Sequence, residues 1–137
     1  VVLTSAARRL LAPLGVLAGV VAAFGYVGAV DPHQPGHYPV CPLFRLTGLY
    51  CPGCGGLRGA HALAHGELLR GLSDNALVVA CAGVFCVAWA VWCARALGWR
   101  RRRAAWTWRA WHAWAIGGAV LAFTVIRNFP FGGLLAP

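Results

Sequence analysis

The chain has 137 residues, of which 60% are hydrophobic and 11% charged, with a mean hydropathy of +0.67. That composition excludes an ordinary soluble globular domain and points to an integral membrane protein. The net charge of +9 does not argue for nucleic acid, because the basic residues are all arginine and half of them fall between Arg95 and Arg109, where membrane topology accounts for them.

Leu10 to Val30 is an uncharged run that spans roughly 30 Å as a helix, the thickness of a bilayer core. It is read as the first transmembrane helix, with Pro13 in its first turn. Arg8, Arg9 and the small residues at 27–29 also fit a cleavable signal peptide, but the run is long for one and a retained span is expected. Gly15 and Gly19 form a Gly-x-x-x-Gly stripe suited to another membrane protein or a second copy, although glycine is common in membrane helices anyway. Residues 31–73 form a polar connection that holds most of the prolines and four of the five histidines. Within it, Leu57, Ala60, Leu63, Ala64 and Leu68 recur at helical spacing, which predicts a short amphipathic helix.

A second charge-free run, Ala76 to Ala94, follows Ser73 and Asp74, either of which suits the N-cap. The third span runs to Arg127, whose charge should snorkel or find a partner such as Asp74. Five of the seven tryptophans surround Arg100 to Arg103, as interfacial aromatics flank cytoplasmic arginines. The expectation is one all-α membrane domain over 1–137, with spans at about 10–30, 75–97 and 111–127. It has a cytoplasmic Arg/Trp loop at 98–110 and a cysteine-rich outer loop at 31–73. Its expected place is the cytoplasmic (inner) membrane, with the N-terminus inside and the lipid bilayer as its main partner.

The chemistry is concentrated in "CPLFRLTGLYCPGCGGLRGAH", residues 41–61. Cys41, Cys51 and Cys54 are interleaved with turn-forming residues, Pro42, Pro52 and glycines 53, 55 and 56, a pattern that makes a tight knuckle. A Cys-x-x-Cys at a helix N-terminus suits redox exchange or metal binding, and an outward location suits a disulfide with one thiol left over. Cys54, His61 and His65 would share one helix face, and three thiolates with the His61 imidazole would complete a tetrahedral zinc site. Zinc is thus the cofactor this pattern could hold, while His61 and His65 also read as interfacial polar residues. Cys81, Cys86 and Cys93 lie inside the second span, where cysteine packs as a small hydrophobe.

These residues resemble a family of bacterial membrane proteins, domain of unknown function 2752. Cys41, Pro42, Thr47, Gly48, Cys51, Pro52, Cys54, Gly55, Arg58, Gly66 and Glu67 fall on its pattern, as do Asn75 and the late Arg127, Asn128 and Pro130. Leu57 replaces the family's usual threonine, and Ala76 stands where proline usually follows the asparagine. The resemblance implies a small multi-span membrane protein and brings no activity with it. No paired carboxylates, phosphate loop or Ser/His/Asp arrangement is visible. An accessory or scaffolding protein with an outer knuckle held by disulfide or metal is therefore expected rather than an enzyme. A thiol redox or metal-handling module is the alternative.

Overall fold

A computed structural model describes residues 5–34, 36–99 and 109–129. The described residues are helical with no strand: α1 Ser5–Ala29, α2 Pro42–Thr47, α3 Gly56–Ala64, α4 Leu68–Ala96 and α5 Ala110–Arg127. Three segments, Ala7–Ala29, Leu68–Ala96 and Ala110–Arg127, are long and apolar enough to cross a membrane. The protein is thus all-α, and its cysteine cluster lies between the first two of these helices. Residues 100–108 of the expected Arg/Trp loop, and Pro130, lie outside the described residues.

The three long helices leave large apolar side chains such as Leu11, Val21, Val84, Val87, Trp114 and Leu121 uncovered, a surface that lipid satisfies. Apart from Pro13 and Ala96, the buried residues gather around the connection: Cys54, Gly59, Ala62, Gly71, Asn75 and Arg127. The close helix contacts are those of α3 with α4, α1 with α3 and α1 with α4. Gly15 and Gly19 take no part, because a Cβ at either would meet nothing within 4 Å.

Three expectations are corrected. Pro13 is nine residues into α1 rather than in its first turn, so it removes an interior helix hydrogen bond. Its own carbonyl accepts the Trp89 indole N–H at 2.9 Å, which ties α1 to α4.

The cap of the second span is neither Ser73 nor Asp74. Asn75 leaves the helical region at φ −163° and ψ 96°, and its Oδ1 accepts the amides of Leu77 and Val78 at 3.0 and 3.2 Å. It therefore restarts the helix as an N-cap, with Ala76 at the position where proline is also well suited.

The third correction concerns the amphipathic helix, which is shorter than the pattern suggested. It stops at Ala64, and Gly66 turns with φ +78° before α4 begins. Leu57 and Leu68 remain exposed while Gly59 and Ala62 are buried. The two short residues face the neighbour because α3 crosses α4 backbone to backbone: a Cβ on Gly59 would lie 3.2 Å from the Gly71 carbonyl, and one on Gly71 3.3 Å from the Gly59 carbonyl.

Candidate metal or thiol centre

The knuckle is built from local turn chemistry. Pro42 starts α2 with its missing N–H at no loss, leaving Cys41 as the N-cap. Thr47 Oγ1 donates to the Leu43 carbonyl at 2.7 Å and accepts the Leu49 amide at 3.2 Å, while Gly48 at φ +71° ends the helix. The chain then doubles back, stacking Tyr50 on Phe44 with ring centroids 4.8 Å apart. Cys51 to Cys54 close a turn through the Cys54 amide and Cys51 carbonyl at 3.1 Å, and Gly55 at φ +75° launches α3.

These turns bring the three thiols together. Cys51 Sγ lies 3.2 Å from Cys54 Sγ and 3.5 Å from Cys41 Sγ, and all three sulfurs fall within 4.8 Å of one another. Zinc–sulfur bonds of about 2.3 Å in a tetrahedron would set sulfurs about 3.8 Å apart, so the cluster needs only small movements to share one ion. The thiols are not equivalent. Cys41 is lowered to about 7, chiefly by the Phe44 backbone amide and then by the Cys51 and Cys54 thiols. Burial, and then the Cys51 thiol, push Cys54 up to about 12.

Side chains from distant parts of the chain clamp the backbone of this turn. Asn128 Nδ2 donates to the Tyr50 carbonyl and Asn128 Oδ1 accepts the Tyr50 amide, both at 2.8 Å. Arg127 donates to the carbonyls of Cys51 and Cys54 at 3.2 and 3.0 Å. Asn75 Nδ2 donates to those of Pro52 and Cys54 at 2.9 and 3.0 Å, and the Gly56 amide takes that of Gly53. Every carbonyl from Tyr50 to Cys54 is thereby satisfied, which lets an irregular backbone stay half-buried around the buried Cys54. Arg127, expected to snorkel or to meet Asp74, does neither; it is 2% exposed.

The remaining expected site residues divide clearly. Arg58 is half-buried and lines a cavity of about 550 Å³ that also opens onto Cys41, Cys54, Tyr50 and His33. His61 is not part of the thiol group. Its Nδ1 instead donates to the Val27 carbonyl at 2.8 Å, capping the end of α1. His65 Nδ1 donates to the His61 carbonyl at 2.9 Å. Gly66 forms a turn, and exposed Glu67 pairs with Arg70 at 3.1 Å. Cys81 and Cys86 sit on the exposed, lipid-facing surface of α4, and Cys93 is partly covered. Sequence reasoning missed Gly59 and Gly71, whose only signal was a small residue on each of two adjacent helical segments.

Fold and site together define a helical protein with three membrane-crossing segments and a three-thiol knuckle clamped by Asn75, Arg127 and Asn128. Over residues 41–89, a stretch that takes in the knuckle and most of α4, the chain matches the family described as Protein of unknown function (DUF2752). Comparison with curated proteins and with solved structures returned no match.

Proposed function

We propose that the protein is a membrane-anchored metal-binding module, in which Cys41, Cys51 and Cys54 hold a thiophilic ion at the mouth of the adjoining cavity. The observation that carries this reading is the mutual approach of three sulfurs within 4.8 Å; a disulfide would use two of them and strand the third. Zinc suits such a donor set, and the cavity beside it leaves room for a further ligand. Bound there, the ion would make the knuckle a rigid platform for an accessory role at the membrane surface.

Cobalt(II) added to the detergent-purified chain should give thiolate-to-cobalt charge-transfer absorption at one ion per chain. Serine at any one of the three cysteines should abolish or strongly weaken it, whereas His61→Ala should leave it unchanged, because that imidazole is committed to α1. A chain without cobalt absorption that also shows two outer thiols missing on counting would establish the disulfide instead.

The lowered Cys41 favours a second reading, thiol exchange with Cys41 as nucleophile. The elevated Cys54 weighs against it, since a resolving thiol held near 12 is seldom ionised.

The arginine distribution supports an N-terminus inside and the knuckle outside. A membrane-impermeant maleimide should therefore label the knuckle thiols in intact spheroplasts after chelation and mild reduction. Labelling that requires opening the cells would reverse the orientation.

A further inference from the structure

Arg127 sits at the end of α5 without a carboxylate partner. Among the described residues Asp31 is hydrogen-bonded to His33 and Glu67 is ion-paired with Arg70; Asp74 is in neither, and its own Oδ2 is buried and unpartnered. One Arg127 nitrogen serves the Cys51 and Cys54 carbonyls, while Nε and the other terminal nitrogen are buried with no acceptor. The rings of Phe123 and Tyr50, 5.0 and 5.7 Å from the guanidinium carbon, shield it further. A guanidinium keeps its charge even there, and a buried charge with no counter-ion is strongly unfavourable. The titratable residues it touches are Cys51 and Cys54, whose carbonyls it holds, and Tyr50, whose ring it faces. Two of these are thiols of the cluster.

We propose that Arg127 is the counter-charge of the three-thiol centre and tunes that centre to a divalent cation held by three thiolates. The proposal rests on the metal-binding reading above and adds the class of ion. When a divalent ion replaces the three thiol protons, which leave to solvent, the complex keeps a single negative charge that Arg127 cancels. A monovalent ion in the same trithiolate leaves one negative charge uncancelled. A trivalent centre is already neutral and leaves Arg127 uncompensated. Valence is thus selected by charge balance, whereas sulfur softness alone admits all three.

The test compares cobalt(II) and cadmium(II) with arsenite on the detergent-purified full chain and its R127Q and R127K variants. Arsenite, As(OH)3, exchanges its three hydroxyls for three thiolates and releases three waters, so its complex is neutral. R127Q should bind cobalt and cadmium about tenfold more weakly or worse, with cobalt charge-transfer intensity falling towards that of two thiolates. Its arsenite affinity should stay within about twofold, because no charge develops. R127K retains the charge and should recover divalent affinity to within about fivefold.

A purely structural role for Arg127 lowers arsenite and divalent affinity together, and that result overturns the proposal. An R127Q chain that binds cobalt as the wild type does overturns it equally. Should R127Q fail to fold, a folded R127K showing the two-thiolate cobalt spectrum sinks the idea, and one showing three thiolates sustains it. Wild-type protein that takes up neither cobalt nor cadmium removes the metal-binding reading, and this inference with it.

Discussion

Asn75→Ala is expected to loosen the cysteine knuckle while the three long helices remain inserted. Asn75 is fully buried, and its side chain makes four hydrogen bonds, two donated to the Pro52 and Cys54 carbonyls and two accepted from the Leu77 and Val78 amides. Alanine removes all four and leaves the Pro52 carbonyl without its donor. At about 1 kcal/mol for each net hydrogen bond, with a similar loss for the helix cap, destabilisation of about 3–4 kcal/mol is expected. Faster proteolysis within 31–67 and faster alkylation of Cys54 would report it. Asn75→Asp separates the two duties, since it keeps the cap but turns a carboxylate oxygen towards two carbonyls. It should be at least as damaging as alanine. An aspartate variant as stable as the wild type would show that the cap alone matters.

Gly59→Val is the second substitution with a large expected effect. A Cβ at Gly59 would stand 3.2 Å from the Gly71 carbonyl and 3.5 Å from both the Asn75 Cβ and its amide nitrogen. None of these neighbours is the end of a flexible side chain, so relief requires α3 to move away from α4. Overpacking of this kind costs about 1–3 kcal/mol, and a branched side chain belongs at the upper end. The separation should appear as a lower unfolding temperature and as weaker retention of metal, because α3 begins directly beside Cys54. Gly53→Ala is the control: its Cβ would make an ordinary 3.8 Å contact with Cys51 Sγ, and a change within about 1 kcal/mol is expected. Equal effects at the two glycines would mean that the α3–α4 crossing is not tight.

The three long helices were legible because hydropathy over about twenty residues is a collective property that no single contact can overturn. The thiol cluster was legible for a related reason: Pro42, Gly48, Pro52 and Gly55 dictate turns locally, whatever lies around them. What escaped were relations between distant residues. Arg127 was expected to snorkel or to meet a carboxylate such as Asp74, since charges can be read from letters, whereas its actual acceptors are main-chain carbonyls that every residue carries. Ser73 and Asp74 were the expected caps, and by residue type Asn75 suits the position equally well. Only the fold shows that the residue able both to donate and to accept was needed, one amide group serving the α4 cap and the cysteine turn together. His61 shared the expected helix face with Cys54, yet the end of α1, with its unpaired carbonyls, lay closer to hand.

The clamps on the knuckle also differ in when the chain supplies them. Asn75 follows Pro52 by 23 residues, whereas the bonds from Arg127 to Cys51 and from Asn128 to Tyr50 bridge 76 and 78 positions. During synthesis the cysteine turn is therefore complete long before its last two holders leave the ribosome. For that interval Asn75 is its main side-chain support, and the carbonyl of Tyr50 must rely on water. The thiol centre reaches its final form only when α5 has entered the bilayer and brought Arg127 and Asn128 to the knuckle. Its maturation is in this sense a readout that membrane insertion has run to completion.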